Sequence, residues 1–109
     1  MKRHKVGIAV VGAGRIGTLR ARIAGKHPAV EFLAVSDRDP ARAQALAATA
    51  SAQVHSADNT AVIMHPEVTA VIVSTPESEH VAPIIKALER GLPVLVELEE
   101  KAGGPEGQS

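Results

Sequence analysis

A run of apolar and mostly β-branched residues, Val6–Val11, is followed directly by glycines at positions 12, 14 and 17 in the segment GAGRIG. A continuous apolar run of this length is typical of a strand that is buried on both faces of a sheet. A helical pattern of apolar residues then begins inside the glycine segment. The first 26 residues therefore predict a buried strand, a tight glycine turn and a helix that starts from that turn.

The same alternation of strand and helix patterns continues along the chain. Further strands are predicted at residues 31–36, 53–55, 70–74 and 94–98, of which the 53–55 strand has the weakest pattern. A short helix is predicted at residues 58–64, ended by His65-Pro66. Three longer helices are predicted from apolar residues that share one face, namely Ile16, Leu19 and Ile23; Ala43, Leu46, Ala47 and Ala50; and Val81, Ile84, Ile85 and Leu88.

Strands that alternate with helices, without hairpin signals, predict parallel pairing through right-handed crossovers. The expected fold is a three-layer α/β/α Rossmann-like sandwich around a mostly parallel five-stranded sheet, with strand order 3-2-1-4-5. We expect residues 1–98 to form this dinucleotide-binding domain and the glycine-rich residues 99–109 to form a flexible tail.

The glycine segment fits the dinucleotide fingerprint G-x-G-x-x-G in both sequence and context. Gly12 permits a tight turn, Gly14 lets a pyrophosphate approach the backbone, and Gly17 lets the helix pack closely on the sheet. The rest of the segment belongs to the same predicted cofactor site: Ala13, Arg15 and Ile16. A glycine turn that binds nothing is the alternative, but the acidic residue described next argues against it.

Asp37 lies 20 residues beyond Gly17, at the end of the second predicted strand, where the fingerprint requires an acidic residue. Its carboxylate can accept hydrogen bonds from the adenosine ribose and repels a 2′-phosphate, which favours NAD over NADP. Arg38 can stack on adenine, meet a 2′-phosphate or lie at the surface, and the sequence leaves these alternatives open. A preference for NAD is predicted, without exclusivity.

Composition narrows the classes of partner. Lys and Arg together number 12, as do Asp and Glu, so no electrostatic binding of nucleic acid or of an anionic membrane is expected. No segment approaches the roughly 20 apolar residues of a membrane helix. Cysteine is absent and the five histidines lack metal-ligand spacing, so no thiolate or metal site is predicted. We expect a cytoplasmic protein.

The segment VIVSTPESEHVAPIIKALERGLPVLVE resembles the Gfo/Idh/MocA oxidoreductases, as do GAGRIG and VSDRDPARA. The resemblance covers about residues 5–97. It implies hydride transfer between a nicotinamide cofactor and a sugar or polyol such as inositol. On this resemblance Ser74, Thr75 and Pro76 line the cofactor near its ribose and nicotinamide, while His80 and Glu97 support the cleft.

Two departures from the family pattern affect the expected activity. Many members carry histidine where this chain has Arg20, and the family's E-K-P motif is replaced by Glu97-Leu98-Glu99. The lysine to which catalysis is generally assigned is therefore missing, and Lys101 would lie roughly 10 Å farther along an extended strand. No catalytic residue is assigned.

The family's second, substrate-binding domain is also absent from the sequence, so the chain is not expected to be catalytic alone. The alternative is a stand-alone dinucleotide-binding or sensing module, or a folded remnant without useful affinity. The last predicted strand, at the sheet edge, also predicts a homo-oligomer through its unpaired backbone.

Overall fold

The structure, a computed structural model, describes residues 5–97. The strands are β1 (Val6–Val11), β2 (Val30–Ser36), β3 (Val54–Ser56), β4 (Ala70–Val73) and β5 (Val94–Val96). The helices are α1 (Arg15–Lys26), α2 (Pro40–Ala50), α3 (Asn59–Ile63) and α4 (Val81–Glu89), and a 3₁₀ turn, Glu77–Glu79, precedes α4. The predicted flexible tail at residues 99–109 lies outside the described residues.

The five strands form one parallel sheet in the order β3-β2-β1-β4-β5. The predicted α/β fold and strand order are confirmed. Alternate residues of the central strands enter two cores, because successive side chains of a strand point to opposite faces. Val10 and Val35 pack with residues of α1 and α2 in one core, whereas Val11 and Val73 pack with residues of α3 and α4 in the other.

The predicted apolar face of α1 is not the buried one. Leu19 and Ile23 are each 52% exposed, and the fully buried positions of this helix are Gly17, Ala21 and Ala24. Small residues allow the helix backbone to lie close to the sheet, so the larger apolar side chains are displaced to its flank.

The prediction for α4 is wrong in part. Val81, Ile85 and Leu88 are exposed, whereas Ile84 is half-buried against the core and Pro83 and Ala87 are buried. Pro83 is the third residue of the helix, where the missing N–H breaks no intrahelical bond. The most apolar face was therefore a wrong guide to the buried face in α1 and only a partial guide in α4.

Candidate functional site

The carboxyl ends of β1, β2 and β4 meet at one edge of the sheet. α1 and α2 cover one face of the sheet, whereas α3 and α4 cover the other. The crossovers therefore change face between β1 and β4, which are neighbours in the sheet. Such a switch point opens a crevice beyond the carboxyl ends of the strands, where open α/β sheets bind their ligands.

The glycine turn lies in this crevice, and two of its glycines are required by the chain itself. Gly12 has φ +106°, and a Cβ there would lie 2.6 Å from the carbonyl oxygen of Ser74. A Cβ on Gly17 would overlap the carbonyl oxygen of Gly12. The turn is thus folded tightly against the end of β4.

Gly14 differs from the other two glycines. Its φ of −77° is accessible to any residue, so its backbone conformation does not require glycine. Gly14 is the residue that precedes α1, and it is half-buried at the crevice. In the dinucleotide fingerprint, a residue without a side chain at this position lets a pyrophosphate approach the backbone closely.

The start of α1 also differs from the starts of α2 and α3. Asp39 accepts a hydrogen bond from the Ala41 N–H at the start of α2, and Asp58 accepts one from the Thr60 N–H at the start of α3. Gly14, the residue before α1, has no side chain that could act in this way, and the first turn of α1 has no acidic residue. The positive end of the α1 dipole therefore favours an anion at the glycine turn.

Asp37 joins the glycine turn to the loop after β2. Its Oδ1 accepts the Ala13 N–H at 2.8 Å, and its Oδ2 accepts the Asp39 N–H at 3.0 Å. The Nε of Arg42 lies 3.8 Å from Oδ2. A carboxylate has about four lone-pair sites, so each oxygen keeps capacity for a further donor such as a ribose hydroxyl.

Arg38 forms an ion pair with a residue of the loop that follows β4. Its Nη1 is 3.4 Å from Oε2 of Glu79, in the 3₁₀ turn that follows β4. The contact links the loop after β2 to the loop after β4. The sequence leaves three alternatives open for Arg38 and does not indicate Glu79, because no local pattern connects the two positions.

Buried hydroxyls without partners mark the end of β4. Ser74 is 1% exposed and Thr75 is 6% exposed, yet among residues 5–97 neither Ser74 Oγ nor Thr75 Oγ1 has a hydrogen-bond partner. Nδ1 of His80 is likewise buried without a hydrogen-bond partner among these residues. Leaving a buried polar group unsatisfied costs about 1–3 kcal/mol, so such a cluster indicates a place for an external hydrogen-bonding group.

Pro76 lies between these residues and is half-buried. His80, the residue that precedes α4, is also half-buried. Ser74 and Thr75 are adjacent to the glycine turn, since Gly12 packs on Ser74 and its Cβ position is 3.2 Å from the methyl group of Thr75.

Glu97 is engaged by Arg20, a contact that sequence analysis missed. The Arg20 Nε donates to Glu97 Oε1 at 2.7 Å, and the Arg20 Nη2 donates to Oε2 at 2.6 Å. These bonds hold the pKa of the Glu97 carboxyl below its usual value and raise the pKa of Arg20. Both carboxylate oxygens of Glu97 therefore face α1.

Two further kinds of feature are absent from residues 5–97. No cluster of three or more metal-ligating side chains occurs there. None of the helices in that range is both long and apolar enough to span a membrane.

Comparisons with known proteins agree with this geometry. Residues 6–98 match the family described as Gfo/Idh/MocA oxidoreductase family, NAD-binding Rossmann fold. The chain is 36% identical over 95 residues to scyllo-inositol 2-dehydrogenase (NAD(+)) of Bacillus subtilis strain 168, covering 86% of this chain and 28% of that enzyme. It is 37% identical over 91 residues to inositol 2-dehydrogenase of Arthrobacter sp. strain FB24, covering 83% of this chain and 27% of that enzyme.

Solved structures show the same relationship. GenD2 from gentamicin A biosynthesis, in complex with NAD, superposes with a TM-score of 0.77 at 30% identity, over 85% of this chain and 26% of that one. The myo-inositol dehydrogenase of Lactobacillus casei, in complex with NAD(H) and myo-inositol, superposes with a TM-score of 0.75 at 26% identity, over 84% of this chain and 28% of that one.

The chain thus spans less than a third of the length of these relatives, and the matched part is the cofactor domain. The predicted resemblance is confirmed: the chain belongs to the Gfo/Idh/MocA oxidoreductase family and carries its NAD-binding Rossmann domain.

Proposed function

We propose that this chain binds NAD(H) in the crevice at the carboxyl ends of β1, β2 and β4, in preference to NADP(H). One observation carries the proposal. Asp37 accepts a hydrogen bond from Ala13, so the two halves of the dinucleotide fingerprint, distant in sequence, are in direct contact.

Each part of the crevice has a proposed role. The backbone of Gly12, Ala13, Gly14, Arg15, Ile16 and Gly17 receives the pyrophosphate at the start of α1. Asp37 receives the adenosine ribose, and Arg38 lies beside it. The unpartnered hydroxyls of Ser74 and Thr75, with Pro76 and His80, receive the ribose and nicotinamide end of the cofactor.

When bound, the nicotinamide accepts or gives a hydride, and the inositol dehydrogenases among the relatives suggest a sugar or polyol as the other reactant of the whole protein. Within this chain, the residues described above bind and orient the cofactor. Glu97 supports the crevice indirectly, because both of its oxygens are bonded to Arg20.

Cofactor titration tests the proposal. We expect the purified chain to bind NADH more tightly than NADPH in the same buffer, measured by calorimetry. Gly14→Val is expected to weaken both cofactors at least about tenfold, because a side chain there blocks the approach of the pyrophosphate that they share.

Ala48→Val is a matched control, since it adds bulk to an exposed position of α2 away from the crevice. It should leave both affinities unchanged. The proposal fails if neither cofactor binds to the folded chain, or if Gly14→Val binds as tightly as the wild type.

We also expect the chain alone not to reduce NAD with myo-inositol, scyllo-inositol or glucose. Leu98 occupies the position of the E-K-P lysine and cannot transfer the proton of a substrate hydroxyl. Absorbance of NADH, followed with each compound, measures this. Substrate-dependent NADH formation that is lost in Gly14→Val would contradict the expectation and assign catalysis to this chain.

We propose further that the chain forms a homo-oligomer through β5, which is an edge strand of the sheet. Leu95 is 50% exposed and Val96 is 40% exposed, and an apolar strand edge favours pairing with another strand. Sedimentation velocity should show association that increases with concentration and is reduced by Leu95→Lys. Met64→Lys, at an exposed position next to α3, is the control, and a monomer at every concentration would overturn the proposal.

The absence of a nucleic-acid partner and a cytoplasmic location remain predictions. The balanced charge supports the absence of a nucleic-acid partner, and the lack of cysteine is consistent with a cytoplasmic location.

A further inference from the structure

The ion pair between Arg20 and Glu97 joins parts of the chain that are 77 residues apart. Its two parallel hydrogen bonds, at 2.7 and 2.6 Å, have the geometry in which a guanidinium fork matches a carboxylate. The Arg20 side chain is 37% exposed and the Glu97 side chain is 22% exposed. A contact with this geometry contributes more than an ordinary surface ion pair, which two flexible side chains form at little net gain.

Arg20 lies close to the glycine turn, because it is the third residue after Gly17 in α1. Gly17 in turn packs directly on Gly12, at a spacing that leaves no room for a Cβ. The helix segment that carries Arg20 is therefore fixed relative to the turn.

Glu97 lies at the other end of the contact, directly after β5. Its N–H donates to the carbonyl oxygen of Val73 at 2.9 Å. Val73 is the last residue of β4, and Ser74 and Thr75 follow it. The position of Glu97 is thus coupled to the strand end that carries the unpartnered hydroxyls.

Within the described residues, β5 is a short strand at the edge of the sheet. It pairs with β4 through three residues, in the register Val71↔Val94, Ile72↔Leu95 and Val73↔Val96. Leu95 and Val96 are both substantially exposed, so only Val94, which packs against the core, contributes burial to the docking of this strand. A short edge strand of this kind separates readily unless another contact fixes it.

We propose that Arg20 is a positioning residue, which through Glu97 holds the end of β5 against β4 so that Ser74 and Thr75 keep the position from which they contact the cofactor. The cofactor part of this inference rests on the proposed function. The strand-holding part depends only on the contacts described above.

Two measurements on the full chain test the two parts separately. Amide hydrogen exchange at Glu97 and along β5 reports the docking of the strand, and NADH titration reports the crevice. In Arg20→Ala, exchange at Glu97 should accelerate about tenfold or more, and NADH affinity should fall about fivefold.

Rescue variants separate a specific contact from general damage. The double variant R20E/E97R restores an ion pair with reversed charges and should recover exchange protection and NADH affinity to within about twofold to threefold of the wild type. Arg20→Lys keeps the charge but cannot donate two parallel bonds from one fork, so it should give intermediate values. Should Arg20→Ala fail to fold, Arg20→Lys carries both measurements.

Arg90→Ala is the control for simple loss of stability. Nη1 of Arg90 donates to the carbonyl oxygens of Ile63 at 3.0 Å and Val68 at 2.9 Å, a second guanidinium contact that lies before the amino end of β4, away from the crevice. Its removal should lower stability without changing NADH affinity in the folded protein.

The possible outcomes are distinguishable. Unchanged exchange at Glu97 in Arg20→Ala overturns the strand-holding role. Accelerated exchange with unchanged NADH affinity, or an Arg90→Ala variant that weakens NADH equally, overturns the positioning role. A wild-type chain that binds no NADH contradicts the proposed function, while the exchange measurement still decides whether Arg20 holds β5.

Discussion

Alanine at position 17 is expected to lower the free energy of unfolding by about 3 kcal/mol, at the upper end of the usual cost of overpacking. The added Cβ would overlap the carbonyl oxygen of Gly12, which is backbone and cannot move aside as a flexible side chain can. Either α1 must shift away from the sheet or the glycine turn must open. Urea unfolding followed by circular dichroism measures the change.

The sign of this result is informative, because helix propensity alone predicts the opposite. Gly→Ala in the interior of a helix usually stabilises by up to about 1 kcal/mol. Gly91→Ala is the matched control: Gly91 has φ +76° but open space around its Cβ position, so only about 1 kcal/mol of backbone strain is expected. A Gly17→Ala variant as stable as the wild type, or more stable, would contradict the close packing of α1 on the turn.

Removing the charge of Asp37 is expected to remove most of the preference for NADH over NADPH. In Asp37→Asn the ratio of the two dissociation constants should fall about tenfold, because the amide no longer repels a 2′-phosphate and accepts fewer hydrogen bonds from the ribose. Asparagine retains an oxygen that can accept the Ala13 N–H, so the turn is disturbed less than in Asp37→Ala. Paired calorimetric titrations measure the ratio.

Asp58→Asn provides the control for this substitution. Asp58 also accepts a backbone N–H with its carboxylate, from Thr60 at 2.9 Å, but it does so at the start of α3. Its replacement should leave the cofactor preference unchanged. If the wild type binds NADPH as tightly as NADH, Asp37 does not have the role in selectivity given to it here.

Much of the fold follows from the sequence because its signals are local. Val6–Val11 is a buried run next to a glycine turn, and the spacing from Gly17 to Asp37 places an acidic residue at the end of the neighbouring strand. Parallel pairing with right-handed crossovers then allows only a few strand orders for the sheet. This spacing predicts that Asp37 lies next to the glycine turn, where it accepts the Ala13 N–H.

The predicted buried face of α2 is confirmed, because all four of its predicted residues are buried. The buried face of α1 could not be predicted in the same way. A count of apolar residues selects Leu19 and Ile23 in α1, whereas the sheet is contacted by Ala21 and Ala24. The reason is the close approach that Gly17 permits, which leaves space only for small side chains between helix and sheet. The distance between helix and sheet is set by the packing of the whole structure, and no repeating pattern in the sequence reports it.

Two of the ion pairs around the crevice could not be predicted from the sequence either. Arg20 with Glu97, and Arg38 with Glu79, each join residues on different elements. Charged residues are common on the surface of any domain, so their pairing depends on the three-dimensional arrangement alone. The burial of Ser74 and Thr75 without partners likewise became visible only once the turn was packed on β4.

The measurement that tests the central claim most directly is a titration of ¹⁵N-labelled chain with NADH, followed by amide chemical shifts. We predict saturable changes at the glycine turn of residues 12–17, at Asp37, and at Ser74 and Thr75, with little change in β3 or at Arg90. Changes confined to the β5 edge, or no change at saturating NADH, would contradict a dinucleotide site in this crevice.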